Sequence, residues 1–495
     1  MLLTDELFLY YQRCNRRAFL DVYGDLSQRD PPSDYLLKLR QDSRSRQQQV
    51  LEGQIYDQPR YPSGDCKAGA KATLSLMQQG VERIYRGVLL CEGSAEVTLV
   101  SQPDLLIRRP GQSQLGDWTY ELVEIKLGKR PKLEYQIVAA FHAQVLARVQ
   151  GTWPTAWLLL RERDPYAVNL DLILPQMQDL VLECTQMLTQ AQEPEVFIAR
   201  SRCNLCQWFN HCYAIARQEE HLSLLPGVTP SRYTHLQNLN LTTAEALAGS
   251  NSTTLERLPG FGGEIAVRLV RQAQAVVQNQ ALLVIQPSLV TSTVSTAATA
   301  NKANKNLLLP ILPTASVELY FDIEAEPERN LVYLHGVLVI DHTNRSEQFH
   351  PFLADSVERE ESIWQQFLEL VCTYPDAPIF HFCPYEVQTV RRLGQLYKTP
   401  PHQVQQLVTR FVDLHAWVTQ TVTLPVESYA LKQIARWLGF QWRDPAANGA
   451  QAIYWYVRWL ETGDRTFLNS ILRYNEDDCR ATYHVKTWLS EFLQD

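Results

Sequence analysis

The chain has 495 residues, 45% hydrophobic and 20% charged, which excludes a mostly disordered or collagen-like polypeptide. Its net charge of −8 argues against indiscriminate coating of nucleic acid but leaves room for a local basic groove. No run of about 18 apolar residues occurs, and the opening MLLTDELFLYYQRC has no basic segment leading into an apolar one, so the expectation is a soluble cytoplasmic protein with no membrane partner. Ten cysteines in such a chain are read through their spacing rather than as a disulfide framework.

The length predicts about three domains of α/β class. The first block, 1–220, holds seven of the ten cysteines. It alternates strand patterns (97–109, 118–128, 155–162, 167–174) with helical ones (133–149, 179–192), which predicts a mixed sheet with helices. A short helical block follows at 221–280. The stretch 281–314 contains SLVTSTVSTAATANKANKN, rich in Ser, Thr, Ala and Asn, and reads as a flexible linker. The last block, 315–495, opens with a strand at 317–326 and a hairpin partner at 330–341, and later holds a strand, turn and helix over 377–393.

In the first block Asp104 sits in one strand pattern, with Glu124 and Lys126 two apart in the next. Residues i and i+2 of a strand share a face, so an adjacent Asp104 would join them. Two carboxylates can hold Mg²⁺ or Mn²⁺, and a lysine can stabilise developing negative charge, which is what phosphodiester hydrolysis requires. Lys126, Lys129, Arg130 and Lys132 add positive charge for phosphate steering. The bland alternative is a solvated Glu-x-Lys pair, but the apolar neighbours Leu122, Val123, Ile125 and Leu127 argue for a buried strand.

Pro103-Asp104, Glu124-x-Lys126 and the following helix resemble the PD-(D/E)XK nucleases, and among them the RecB-like branch. The resemblance implies a restriction-endonuclease-like domain. It also implies substrate contacts from Gln136 and an aromatic, Phe141, although this chain has Gln136-x4-Phe141 where the branch usually has Gln-x3-Tyr. The upstream histidine of many members is not evident. Cys203-x2-Cys206-x5-Cys212 closes the block and Cys14 lies near its start. Taken alone, the three clustered cysteines leave open a zinc site completed by His211, or unligated thiols. The RecB-like resemblance implies a 4Fe–4S cluster on Cys14, Cys203, Cys206 and Cys212, tying together the two ends of the domain.

The middle block contains LERLPGFGGEIAVRLVRQAQ (255–274), a helix, a glycine-rich turn and a second helix. It resembles a helix–hairpin–helix, in which the turn at Gly260, Gly262 and Gly263 would offer backbone N–H groups to a phosphate, with Arg268 and Arg271 behind it. The alternative is a helical hairpin that only packs domains together.

In the last block Asp322 and Glu324 share a strand face, and Tyr474 and Asp478 share a helix face at i, i+4. Several carboxylates around a pair of ions suit a two-metal exonuclease, with the tyrosine placed to orient the attacking water. The pattern resembles the DEDD exonucleases of RNase H-like fold, in particular the YprB-like branch. There the second motif carries an aspartate; here it reads His381-x3-Tyr385-Glu386, which assigns Glu386, with Asp413 in reserve. The segment SYALKQIARWLGF (428–440) resembles a further part of that branch, read as structural.

The expected function is a metal-dependent nuclease, preferring single-stranded DNA ends in DNA repair or processing. No Walker A motif occurs, so duplex unwinding would need a separate helicase partner. The competing expectations are a nucleic-acid-binding module with one or both sites inactive, and an RNA-processing 3′-exonuclease.

Overall fold

The computed structural model describes residues 1–93, 97–284, 311–327 and 329–494. Most of the expected linker, 285–310, lies outside the described residues. The chain forms two compact units, Met1–Ala216 and Arg217–Asp495. Both are α/β with mixed sheets.

The first unit is built on a five-stranded sheet in the order Arg83–Tyr85, Leu105–Ser113, Gly116–Ile125, Ala156–Leu159, Tyr166–Ala167. Gly116–Ile125 pairs antiparallel with Leu105–Ser113 and parallel with Ala156–Leu159. The parallel pair is joined by the helix Leu133–Gln150, as a crossover of that kind requires. Tyr120 and Leu122 face this helix and pack with Phe141 and Leu146, while Val123 and Ile125 pack on the other face with Leu51 and Leu105. The strand is therefore buried on both sides, and Glu124, in register with Tyr120 and Leu122, is directed to the helix side.

Two strand expectations change. The run 97–109 is two strands, Thr98–Ser101 and Leu105–Ser113, in different sheets, interrupted at Gln102, Pro103 and Asp104. The run 167–174 contributes only the end of a two-residue strand and otherwise begins the helix Leu170–Thr189. The Asn169 side chain accepts from the Leu172 N–H and caps that helix, which decides against the alternation of apolar residues.

In the second unit the five-stranded sheet runs Ser346–Leu353, Leu331–Asp341, Val317–Glu326, Ile379–His381, Phe411–Asp413. The first three strands are antiparallel neighbours and the last two join in parallel. Leu319, Phe321 and Ile323 face a core with Trp364, Phe367 and Val390. The alternate residues of the same strand face the 28-residue helix Arg465–Phe492. Along that face Glu318 pairs with Lys486 at 2.7 Å, Tyr320 packs on Tyr483 with ring centroids 5.0 Å apart, and Asp322 accepts from Asn475 at 2.6 Å. A period of two on the strand thus meets a period of 3.6 on the helix, and the meeting line ends in the acids.

The helical segments before 280 belong to this unit. Leu282–Leu283, within the stretch expected to be linker, pairs antiparallel with Val422–Thr423. Buried Gln272 of the helix Gly262–Gln278 donates to the Leu424 carbonyl at 2.7 Å and accepts from the Tyr429 hydroxyl at 2.9 Å.

Candidate active sites

Asp322, Glu324 and Asp478 each offer a carboxylate oxygen, and these oxygens lie within 4.8 Å of one another. Among the described residues this is the one group of three potential metal ligands so closely drawn together. Burial raises the pKa of all three, and mutual repulsion adds to it: Asp478, then Glu324 and Glu386, act on Asp322, and Asp478 acts on Glu324. Asp478 is pushed up to about 6, restrained by hydrogen bonds from the Trp442 indole at 2.7 Å and from Tyr474. Tyr474 therefore meets Asp478 as the i, i+4 spacing predicts. Burial and the surrounding acids hold its hydroxyl protonated.

Glu386 is buried in the first turn of the helix Tyr385–Leu396, but it stands outside the close trio and pairs with His381 at 3.3 Å. Burial raises its pKa and His381 draws it back. The reserve ligand Asp413 is occupied otherwise: its Oδ1 accepts from the N–H groups of Ala416 and Cys383, both at 3.2 Å, capping the helix Leu414–Thr421.

Three supporting residues escaped the sequence reading. Asn475 is fully buried and holds Asp322. Trp442 holds Asp478. Lys432 stands 5.5 Å from the Trp442 ring, donates to the Ala447 carbonyl, and is a cation acting on Asp478. Lys432 lies in the SYALKQIARWLGF segment, where a lysine amid apolar residues was an available signal.

In the first unit Asp104, Glu124 and Lys126 also converge. Lys126 Nζ donates to Glu124 Oε2 at 2.5 Å, and Glu124 Oε1 accepts from the Asp104 N–H at 3.2 Å. Asp104 is buried and accepts from Gln47 at 2.6 Å and from the Ile125 N–H at 2.7 Å. Burial and the Glu124 charge push its pKa to about 7. Burial works to raise Glu124 too, but Lys126 and His142 outweigh it and the net shift is downward. Burial works against the Lys126 charge, yet Glu124 and Asp104 carry its pKa upward. His142, from the middle of the crossover helix, reaches Glu124 Oε1 with Nε2 at 3.3 Å while Ser101 holds its Nδ1 at 2.7 Å. A single histidine on an apolar helix face gave no signal of this.

Gln136 donates to the Pro131 carbonyl at 2.8 Å and accepts from Tyr166. Phe141 is fully buried and packs on Phe8 with centroids 5.2 Å apart. Lys129 pairs with Glu162 at 2.6 Å, and Arg130 is exposed on the segment leading into the crossover helix. Gly260 and Gly262 both have positive φ, +79° and +64°, and they form the turn into Gly262–Gln278. The Gly260 carbonyl accepts from Arg232, Arg268 pairs with Glu264, and Arg271 donates to the Leu283 carbonyl.

Cys14 separates two helices, Asp5–Arg13 and Asn15–Tyr23, in extended conformation. Cys203 ends Arg200–Cys203, and Cys212 lies in Phe209–Gln218. Burial pushes the Cys203 and Cys212 thiols up to about 11, and Cys14, Cys206 and Cys212 each raise Cys203 further, so the four thiols are neighbours. His211 lies edge-on to Trp208.

Among the described residues no helix is long and apolar enough to cross a membrane. No curated protein and no solved structure matches the chain. Residues 319–490 match the family model RNase_H_2, of the RNase_H superfamily. The C-terminal part of the chain is an RNase H-superfamily domain, a fold of nuclease-type hydrolases acting on nucleic acids.

Proposed function

We propose that the protein is a metal-dependent nuclease whose C-terminal centre, Asp322, Glu324 and Asp478, holds Mg²⁺ or Mn²⁺ and trims single-stranded DNA ends. The observation that carries this reading is the buried acid trio: three carboxylates within 4.8 Å that repel one another and gain from a cation between them. Divalent ions there would polarise a phosphate oxygen and lower the pKa of water. Tyr474, protonated and hydrogen-bonded to Asp478, orients the attacking water. Asn475 and Trp442 keep two of the three acids in place.

The first unit supplies a second centre of PD-(D/E)XK type, with Asp104 and Glu124 as ion ligands and Lys126 as the cation facing the scissile phosphate. Cys14, Cys203, Cys206 and Cys212 hold a 4Fe–4S cluster of structural role. Arg16, hydrogen-bonded to Cys212, and Arg17, near Cys206, supply positive charge to offset four thiolates. Absorbance at about 400 nm after anaerobic purification tests this assignment. The turn at Gly260 and Gly262 is the candidate phosphate contact of the helical segment.

A second reading is favoured by Glu386, which His381 holds outside the trio: a binding module whose C-terminal centre lacks its fourth acid. Cleavage of end-labelled single-stranded DNA and of the matched RNA with Mn²⁺ or Mg²⁺ separates the two. The nuclease reading expects Asp322→Asn to remove one metal-dependent activity and Glu124→Gln the other. Binding of either strand by the parent chain, with no cleavage under any ion, favours the module.

A further inference from the structure

The edge of the N-terminal sheet carries an aromatic and cationic cluster that neither acid centre uses. The chain at Asp57 runs alongside Arg83–Tyr85: the Asp57 N–H donates to the Arg83 carbonyl at 2.9 Å, and the Asp57 carbonyl accepts from the Tyr85 N–H at 2.8 Å. This pairing sets Tyr56 edge-on to Tyr85, with ring centroids 5.5 Å apart. Tyr56 and its neighbour Ile55 are exposed. Arg86 follows with φ of +51°, a left-handed conformation that few residues other than glycine adopt, and its N–H donates to the Asp104 carbonyl at 3.0 Å. Its exposed guanidinium lies 5.6 Å from the Tyr85 ring centroid, and among the described residues no carboxylate pairs with it.

The cluster is tied to the first acid centre. The Tyr85 hydroxyl donates to Gln47 at 3.2 Å, and Gln47 donates to Asp104 at 2.6 Å. Burial raises the Asp104 pKa, and Arg86 is among the charges that draw it back. An exposed ring accepts the face of any unpaired base, and a guanidinium takes the adjoining phosphate. A duplex keeps those base faces inside its stack. We propose that Tyr56, Tyr85 and Arg86 form a subsite for one unpaired nucleotide of the strand that Asp104 and Glu124 cut: its base stacks on Tyr56 and its phosphate pairs with Arg86. Tyr85 supports Tyr56 and, through Gln47, fixes the subsite beside Asp104. The inference rests on the reading of Asp104, Glu124 and Lys126 as a nuclease centre, and it gives that centre a reason to prefer single strands.

The test maps contacts with an oligodeoxynucleotide carrying iododeoxyuridine, single-stranded or in a duplex, irradiated on the full chain in EDTA so that no cleavage intervenes. Peptide mass spectrometry reads which residue is joined to the base. The single strand should give an adduct at Tyr56 that the duplex does not give and that Arg86→Gln weakens. In an Asp322→Asn background, where cleavage reports the N-terminal centre, Tyr56→Ala should raise KM about 5- to 150-fold, the span for one stacked base, and Tyr56→Trp should restore it. Arg86→Gln should raise KM too and lower the slope of log KM against log salt by about 0.7, the share of one phosphate on a single strand. Both side chains are at the surface, so Tm should stay at the parent value. Adducts confined to other residues, an equal Tyr56 adduct with the duplex, or an unchanged KM in both variants overturns the proposal and leaves the nuclease reading intact. A Tyr56 adduct in a chain whose Asp322→Asn form cuts no strand supports the subsite and overturns the nuclease reading of the centre beside it.

Discussion

Asn475 occupies the space that a side chain at Gly336 would need. Gly336 stands directly across the strand pair from Asp322, and a Cβ placed on it would lie 1.7 Å from Asn475 Oδ1. The absent side chain lets Asn475 descend onto the sheet and donate to Asp322 at 2.6 Å. Gly336→Ala should therefore displace Asn475, destabilise the domain and lower the activity of the C-terminal centre. Asn475→Ala alone should reduce that activity about 10- to 150-fold, from roughly 1.5–3 kcal/mol for a hydrogen bond to a charged group. Adding Gly336→Ala to Asn475→Ala should cost little more stability, because the clash is gone. Tm and cleavage rates of the four chains check this. A double variant as unstable as Gly336→Ala would mean that the clash lies elsewhere.

The acid trio makes ion-free stability fall with rising pH. Folded-state pKa values above the unfolded values, near 4 for carboxylates, mean that the folded chain binds more protons over that interval. The penalty is absent below about pH 4. It grows as pH rises, with Asp478 passing its value of about 6 on the way. Asp478→Asn should flatten this trend in EDTA and raise Tm at pH 8, while removing the part of the Mn²⁺ stabilisation that the C-terminal unit shows in a Glu124→Gln background. Melting curves from pH 5 to 8, with EDTA or Mn²⁺, provide the comparison. A Tm difference between Asp478→Asn and the parent that does not grow from pH 5 to pH 8 in EDTA contradicts the assignment.

The two acid groups were legible because each rests on a local period. Asp322 and Glu324 are two apart on a strand, Tyr474 and Asp478 four apart on a helix, and Glu124 and Lys126 again two apart. The missed residues reach their acids from elsewhere in the chain. His142 comes from the crossover helix and Trp442 from a loop. Glu386 and Asp413 were legible as acids but not as partners of His381 and of a helix N-terminus. Residues 167–174 show the same limit, since apolar alternation hid the cap at Asn169.

Lys126 has a structural duty that will colour any test of its chemistry. Its ammonium neutralises buried Glu124 and lies near buried Asp104. Removing one member of such a pair costs about 3–5 kcal/mol when the other stays charged. In Lys126→Met both carboxylates can escape only by taking up protons, which is easier at low pH. The Tm gap between variant and parent should therefore widen from pH 5 to pH 8. Loss of cleavage by the N-terminal centre is then best judged near pH 6, where the variant is most nearly intact. A gap independent of pH would show that Glu124 is not held charged by Lys126.

His335 offers a separate acid-sensitive element. Both ring nitrogens are buried without partners, and the ring stacks between Phe321 and Phe367 at centroid distances of 5.9 and 5.4 Å. Burial, with a smaller push from Arg392, depresses its pKa from 6.5 to about 3. The folded chain keeps this imidazole neutral while the unfolded chain protonates it, so stability is complete above about pH 6.5 and declines as pH falls toward 3. At pH 5 the loss amounts to about 2 kcal/mol, from 1.36 kcal/mol per pH unit. His335→Phe removes the titrating ring, retains the aromatic stack and eliminates two unpaired nitrogens. The variant should unfold at higher denaturant at pH 5, with the advantage over the parent shrinking to its pH-independent part above pH 7. Urea titrations at pH 5 and pH 7.5 measure both, and an equal advantage at the two pH values would show that the folded chain accommodates the protonated imidazole.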